Sequence, residues 1–522
     1  MIITLIRFAF VAPYGSINNE PTPPIGLAYI ASSCKSKGIF VKGIDSTAEN
    51  LNKIFKIPKG NLQGNGIEIN EIVRLINHKT KVFGISVMFS HEWSYIKDCL
   101  KVLKKKFPKS LIIAGGEHVT ALPEFSLRDC KEIDYICLGE GEETWFKISE
   151  SLVKNKNINS LKGIAYLKKN KFVQNEYRER IKEIEKIPWP DWKVFPIEPY
   201  LDNAISFGAG SGRNMPFLAS RGCPYECTFC SNPIMYGRRY YIRPIKDVIA
   251  EIKFYIKRYK ITGLQLYDLT AIVKKDWIID FCKALKKNNI NLDWSLPSGT
   301  RSEALDFDVI KSLSDANLKY IVYAPESGSE NTLKLIKKKI KLPVMEQSIR
   351  YAVKRGVSVR ANLIIGFPHE KRMELYRTMF QQLKFMLMGV EESPTYPFQA
   401  YPGTELFHSL LKNKKIKLND DYFNSLATLS TGKLTPPDVS YNEYMGRYEL
   451  YFYRITGLLL SYTISYLTRP KRIFRTIKSF FTDKSSSVFE QRFKDTLRKS
   501  YIFNQYIKPF VLKKFFKNQL KS

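Results

Sequence analysis

Ser220-Arg221-Gly222-Cys223-Pro224-Tyr225-Glu226-Cys227-Thr228-Phe229-Cys230 places three of the chain's eight cysteines within eight residues, spaced C-x3-C-x2-C. Thiols so close cannot all pair as disulfides, and an odd number leaves one over. Three thiolates on one loop suit a soft metal centre. An iron–sulfur cube usually takes four Cys ligands, so three leave one iron open to another ligand. Two other readings stand beside it: a structural zinc site, or three incidental cysteines. Zinc takes four ligands, commonly as two spaced pairs, and no second C-x2-C occurs. Cys34, Cys99, Cys130, Cys137 and Cys282 stand singly.

The spacing, with Phe229 between the last two cysteines, resembles the C-x3-C-x-aromatic-C motif of the radical S-adenosylmethionine (SAM) enzymes. The resemblance implies that Cys223, Cys227 and Cys230 are the catalytic ligands of one [4Fe–4S] cluster. It also implies that the open iron is chelated by the amino and carboxylate groups of SAM.

Working outward, residues 201–410 repeat a strand-then-helix pattern. Strands are expected at Pro216–Ser220, Leu264–Tyr267, Leu292–Leu296, Tyr320–Ala324, Ser358–Ile365 and Thr395–Ala400. Six such units fit the partial (β/α)6 barrel of that family, whose chemistry sits at the carboxyl ends of the strands. Polar residues cluster at those ends. Asp268 follows the second strand. Pro325-Glu326-Ser327-Gly328 follows the fourth and resembles the family's Glu-Ser-Gly, which contacts the SAM ribose and amine. Asn362-Leu363-Ile364-Ile365-Gly366-Phe367-Pro368 ends the fifth and resembles the Gly-Phe-Pro-Gly-Glu-Thr turn, with His369-Glu370-Lys371 in place of Gly-Glu-Thr. Tyr401-Pro402-Gly403-Thr404 resembles the family's Tyr-Pro-Gly-Ser/Thr. Taken with Phe229, the expected SAM-side residues are Asp268, Glu326, Ser327, Arg360, Asn362 and Gly366. Arg360 has two expected partners, the SAM carboxylate or Glu326.

Residues 1–160 alternate short apolar runs with helical patterns, which argues for a doubly wound (Rossmann-like) parallel sheet. Ligands of such sheets bind at the strands' carboxyl ends, at the switch point. Pro23-Pro24-Ile25-Gly26-Leu27, Gly84-Ile85-Ser86-Val87-Met88, Ala114-Gly115-Gly116-Glu117-His118 and Gly139-Glu140-Gly141-Glu142 resemble the cobalamin-binding domain that precedes many radical SAM enzymes. Ser86 would then line the nucleotide tail, and Gly115 and Gly116 would let the backbone approach it. The other cobalamin branch carries Asp-x-His-x-x-Gly after its first strand; here that place reads Val11-Ala12-Pro13-Tyr14-Gly15. Either cobalt carries no protein imidazole or the domain binds no cobalamin. His91 and His118 lie near the expected site at other spacings, and His118 is counted among the cofactor-side candidates. Residues 161–200 read as a linker. They hold a small hairpin and then Pro188, Pro190, Pro196 and Pro199 with Trp189 and Trp192, similar to the Pro-Trp-Pro-Asp-Trp connector of the same enzymes.

The whole chain has 522 residues, a net charge of +33 and a hydrophobic content of 44%. That is ample for real cores. The positive charge attracts nucleic acid, anionic lipid or acidic substrates without choosing among them. The scattered single cysteines fit a reducing cytosol. The N-terminus reads as a strand, lacking a charged leader and a cleavage site, and no apolar run reaches the ~18 residues of a membrane span. A cytoplasmic protein is expected, at most peripheral to a membrane. Residues 411–522 form a basic helical region. From Arg469 onward it holds fifteen Lys and Arg, interleaved with Phe474, Phe480, Phe481, Phe493, Phe510, Phe515 and Phe516. Basic amphipathic helices suit a membrane surface, basic–aromatic mixtures also suit nucleic acid, and a plain helical cap on the barrel is the third reading. Membrane contact is preferred to nucleic acid.

The fold class is therefore α/β: a cobalamin-binding domain, a partial barrel and an α-helical C-terminal region. The resemblance implies an enzyme that cleaves SAM reductively to a 5′-deoxyadenosyl radical and transfers a methyl group from cobalamin to an unactivated carbon. The substrate would be a small or lipid-like molecule, and the electron donor a flavodoxin- or ferredoxin-like protein. An anaerobic oxidative cyclase is the alternative enzyme, and an Fe–S or cobalamin sensor on nucleic acid the alternative without catalysis. Methylthiolation of tRNA would need further N-terminal cluster ligands, whose pattern Cys34, Cys99, Cys130 and Cys137 do not make. No helix-turn-helix or zinc-finger signature supports the sensor.

Overall fold

Short β-rich runs bounded by amphipathic helices dictate parallel sheets covered on both faces, and the computed structural model contains two of them. The structure describes residues 1–16, 21–210, 212–270, 272–428, 436–482 and 485–498. In the first sheet the strand order is Lys171–Gln174, Ile164–Lys168, Tyr135–Cys137, Leu111–Gly115, Thr80–Ser86, Ile2–Arg7, Lys42–Asp45. The last five of these are parallel. Chain order reverses between Ile2–Arg7 and Thr80–Ser86, so this is the switch point where a ligand crevice forms.

Two features of this domain differ from the sequence expectation. The hairpin assigned to the linker is part of the sheet: Ile164–Lys168 pairs antiparallel with Tyr135–Cys137, and its register puts Ala165 against Ile136. The strand expected over 2–9 stops at Arg7, and Phe10–Pro13 instead joins a three-stranded antiparallel sheet with Ile54–Ile57 and Leu62–Asn65. Both are long-range pairings, which local pattern does not encode.

The second sheet has six parallel strands in chain order: Asn214–Phe217, Gly263–Leu266, Asp293–Thr300, Leu318–Glu326, Ser358–Ile365 and Thr395–Pro397. The helices between them start and stop on local signals. Asp306 accepts from the Val309 amide at 3.1 Å, and Thr404 accepts from Phe407 N at 3.1 Å. Gly389, at φ 103°, ends the helix Arg372–Met388 in the left-handed conformation open to glycine.

The Pro-rich connector is packed between the two sheets. Trp192, Phe195, Tyr200 and Leu201 are buried and belong to one apolar cluster with Ile3 and Val82 of the first sheet and Phe217 and Leu264 of the second. Its polar atoms are paired across it: Tyr200 donates to Asp45 at 2.7 Å, the Trp189 indole to Asp247 at 3.0 Å, and Lys35 bridges Asp191 at 2.8 Å.

Beyond the barrel, Asp420–Ser425 returns to the first domain through Lys97–Asp420 and Ser94–Asn424, both at 2.5 Å. The helix Arg447–Thr468 covers the edge strand Thr395–Pro397, and Val488–Arg498 closes beneath the barrel, with Glu392 accepting from the Val488 and Phe489 amides at 2.9 and 2.8 Å. Phe510, Phe515 and Phe516 lie outside the described residues.

Because the connector shares one apolar cluster with both sheets, Trp192→Ala is expected to cost about 3–5 kcal/mol. Calorimetry should show the loss in a single transition common to both domains.

Candidate active site

The cysteine loop leaves the first barrel strand and is held at both ends. Ser220–Arg221 pairs antiparallel with Tyr241–Ile242. Gly222 follows at φ 88°, where a Cβ would fall 2.1 Å from the Arg239 carbonyl. At the far end the Thr228 amide donates to Ile336 O at 3.0 Å, and Thr228 O accepts from the Leu406 amide at 3.0 Å. Phe229 packs on Phe367, with ring centroids 5.6 Å apart, and Arg301 lies 3.6 Å above the Tyr225 ring.

The accessible cysteines are those of the loop. Cys223 and Cys227 are half-buried and Cys230 is exposed, whereas the other five are buried as small apolar residues. The Thr270 hydroxyl lies 3.2 Å from the Cys223 sulfur. Desolvation raises the Cys227 thiol, and Lys338 acts against it by favouring the thiolate. Among the described residues no three His, Cys, Asp or Glu groups converge as ligands of a single ion. A cube binds each thiolate at a different iron, so its ligands need to be held apart.

At the strand ends the candidate residues fall into different roles. Asp268 is fully buried and accepts from the Ala219 amide at 3.1 Å and from the Ser220 hydroxyl. Burial pushes its carboxyl up to about 6. Its contacts pin the strand that delivers the cysteine loop. Glu326, at φ 66°, sits in a left-handed conformation that costs a non-glycine residue about 1–3 kcal/mol. Its carboxylate pairs with buried Lys338 at 2.8 Å. The Ser327 hydroxyl is 2.9 Å from Thr378 and accepts from the Ser329 amide at 3.1 Å.

Glu326 is thus not the partner of Arg360. Arg360 lies 3.5 Å from Glu392, donates to Asn362 at 2.8 Å and contacts the Tyr396 hydroxyl. The Gly366 amide donates to Glu370 at 2.5 Å, which closes the turn despite His369 in the glycine position. Burial pushes the Glu370 carboxyl up to about 8.

A cavity of about 410 Å³ lies at the switch point of the first sheet. Ser86, Gly115 and Gly116 line it from the first domain, Ser220, Arg221 and Tyr267 from the barrel, and Asn232, Met235 and Tyr236 from just beyond the third cysteine. Gly116 has a backbone reason: φ is 123°, and a Cβ would lie 2.5 Å from Val87 O. Gly26 and Gly115 have no packing reason. A Cβ on Gly26 meets no protein atom within 4 Å, and one on Gly115 none closer than 3.6 Å. Both line the cavity, so a side chain there would fill space that the protein leaves free.

His118 and His91 do not line this cavity. The helical turn beginning at Glu117 carries His118 against Trp93, ring centroids 4.6 Å apart, with Nδ1 3.0 Å from the Ser90 hydroxyl. Burial lowers its pKa to about 3. It is a neutral core residue, and His91 stacks on Phe89 at 5.7 Å.

Arg221 ties the cavity to the loop. Its guanidinium donates to Glu142 at 2.6 Å and Glu140 at 3.3 Å, and all three side chains are buried. Burial opposes the charge, yet Glu142 and Glu140 hold the pKa above the ordinary arginine value. Sequence reasoning picked out the Gly-Glu-Gly-Glu run but not its partner, some 80 residues away.

Residues 217–381 match the Radical SAM superfamily and residues 19–146 the B12 binding domain. The chain thus joins a B12 binding domain to a radical SAM domain, the two modules of cobalamin-dependent radical SAM proteins. It is 28% identical over 457 residues to an uncharacterized methyltransferase of Pyrococcus horikoshii, covering 87% of this chain and 90% of that one. It is 27% identical to the cytidylyl-2-hydroxyethylphosphonate methyltransferase of Streptomyces wedmorensis, over 66% of this chain and 69% of that one. The solved structure of the cobalamin-dependent radical SAM enzyme OxsB with aqua-cobalamin and SAM superposes with a TM-score of 0.61 at 17% identity, over 99% of this chain and 75% of that one. The residues present fit the family's cofactors: three accessible thiols on one loop for an iron–sulfur cluster, and a glycine-lined cavity for cobalamin at the switch point.

In this radical SAM protein Glu370 should make stability pH-dependent. Its folded pKa lies above the ordinary carboxylate value, so the native state holds the extra proton and stability falls as pH rises from about 4.5 to about 8. The slope is up to about 1.4 kcal/mol per pH unit. Chemical denaturation between pH 5 and 8 should show Glu370→Gln gaining on the wild type as pH increases.

Proposed function

We propose that the protein is a C-methyltransferase that places a methyl group on an unactivated carbon of a small or lipid-like substrate. The observation that carries this reading is the shared cavity: the same walls are built by the cobalamin motif loops and by the barrel residues that begin the cysteine loop. When bound, the [4Fe–4S] cluster and SAM supply a 5′-deoxyadenosyl radical, and cobalamin supplies the methyl group.

The chain's own residues position these groups and keep water out. Cys223, Cys227 and Cys230 hold the cluster, and the Thr270 hydroxyl donates to the Cys223 sulfur. The strained backbone at Glu326, with Asn362 on the next strand and Gly366 just past its end, frames the SAM pocket. Arg360 orients Asn362. Phe207, Met235, Tyr267 and Leu269 give the cavity apolar walls. The reaction asks for no tuned acid–base pair, and of the three carboxylates that line the cavity Glu140 and Glu142 are paired with Arg221, while burial raises the pKa of the third, Glu117. His91 and His118 lie off the cavity lining, so neither imidazole would be offered to a cobalamin held there. The exposed side of Cys230, with Arg238 and Lys339 exposed near Glu226, suits an acidic flavodoxin- or ferredoxin-like donor. A cytoplasmic location belongs to the same reading.

The test is anaerobic reconstitution followed by reduction in the presence of SAM carrying a deuterated methyl group. The wild type should take up about four irons per chain, release 5′-deoxyadenosine and pass the label to cobalamin. Cys227→Ala should lose the full cluster and 5′-deoxyadenosine formation together. Stoichiometric zinc in place of iron would contradict the cluster, and SAM cleavage without label on cobalamin would contradict methyl transfer.

A further inference from the structure

Three helices at the barrel edge expose large apolar side chains and bury polar ones. A helix on a protein in water turns its apolar stripe to the core and its polar stripe to solvent. In Arg372–Met388 the buried face mixes Thr378, Gln381 and Gln382 with Leu375, Phe385 and Met386, and the exposed face carries Met373, Phe380, Leu383 and Leu387. In Arg447–Thr468 the buried face carries Arg454, Gly457, Ser461 and Ser465 with Leu450 near its start, and the exposed face Phe452, Leu459, Leu460 and Leu467. In Lys471–Ser479 the buried residues are Arg472, Thr476 and Ser479, and Ile473, Phe474 and Ile477 are outside. Exposure is extensive: 67% at Phe380, 61% at Leu459, 76% at Leu467 and 75% at Phe474.

The inward polar side chains are built into the packing. The inner polar atoms have fixed partners on the barrel: Gln381 donates to Glu346 at 2.9 Å, and Arg472 donates to the Gly389 and Val390 carbonyls at 2.7 and 3.1 Å. The helices also lock to one another. A Cβ on Gly457 would lie 2.7 Å from Met379, and Tyr453 and Tyr376 meet at 3.2 Å. Their exposed apolar side chains therefore lie on adjoining helices, more closely grouped than the scattered hydrophobics of an ordinary protein exterior.

The charges on that face have one sign. Arg372, Arg377, Arg447, Lys471 and Lys478 are exposed on the three helices. The two carboxylates within them are Glu374, which is buried, and Glu449, which pairs with Arg372 at 2.7 Å. A second copy of the chain would bring like charges together. A bilayer with anionic headgroups offers hydrocarbon to the apolar centre and negative charge to the rim. Among the described residues no helix is long and apolar enough to cross a membrane, so contact is in the plane of the interface.

We propose that Arg372–Met388, Arg447–Thr468 and Lys471–Ser479 form a docking face for an anionic phospholipid surface. The inference rests on this surface alone, apart from the methyl-transfer reading, and its test needs no cofactor.

The full chain is floated with vesicles of phosphatidylglycerol and phosphatidylcholine, and with phosphatidylcholine alone, at low and high salt. The wild type should float at least tenfold more with the anionic vesicles at low salt, and part of that binding should survive high salt because apolar burial is not screened. Phe380→Asp with Leu460→Asp replaces two exposed side chains and should abolish flotation. Lys471→Glu with Lys478→Glu should cut flotation at low salt to no more than the wild type shows at high salt. Phe40→Asp, on an exposed residue of the first domain, should float as the wild type does. Near-ultraviolet circular dichroism checks that each variant is folded, and the second pair decides if the first does not fold. Equal flotation of wild type and both double variants would overturn the proposal. So would a dimer in light scattering that the variants dissociate while no vesicle binding occurs.

Discussion

The guanidinium of Arg221, buried between Glu140 and Glu142, is the constraint on which the site depends. It is the residue immediately before the Gly222 turn that opens the cysteine loop, and its partners close the cavity of the first domain. Glu140 also pairs with Arg180 at 3.1 Å, and a buried network of this kind adds little net stability, since desolvation offsets much of the attraction. Removing one partner is another matter, because a stranded charge costs about 3–5 kcal/mol. The network thus acts mainly as a register device, admitting one arrangement of the two sheets. Around it the other fixed points agree: Asp268 clamps the strand beneath, Thr228 ties the loop's far end to Ile336 and Leu406, and the Trp192 connector fills the seam.

Much of this was legible from residues alone where the signal is local. Parallel barrel strands are buried on both faces, so they read as continuous apolar runs, and Ser358–Ile365 was recovered to the residue. The cysteine loop announced itself by spacing. What was hidden depends on partners distant in sequence. Glu326 was expected at the cofactor, and its carboxylate has a buried partner, Lys338, that no local pattern announced. Asp268 likewise serves the backbone of the strand beside it. His118 follows two site glycines, but one turn of helix carries its ring into the core against Trp93. The hairpin Ile164–Gln174 reads as part of a linker until its long-range pairing is known.

The C-terminal helices teach a related lesson. Periodicity locates an apolar stripe on a helix, and the presumption that the stripe faces inward is drawn from proteins surrounded by water. Here Gln381, Arg472 and Ser461 face in and Phe380, Phe474 and Leu459 face out. Which way a stripe faces is decided by what the neighbouring strand edge offers. The Gly389 and Val390 carbonyls and the Ser393 carbonyl need donors, and the inner polar faces supply them.

The central claim is that one cavity between the two domains receives cobalamin beside the cluster loop, and Gly115 offers the most direct access to it. The measurement is cobalamin bound per chain after anaerobic reconstitution, for the wild type and for Gly115→Leu, with iron content determined on the same samples. The account predicts about one cobalamin per chain in the wild type, and its loss in Gly115→Leu with iron unchanged, because the new side chain would occupy space that no protein atom uses. Undiminished cobalamin in Gly115→Leu would contradict it.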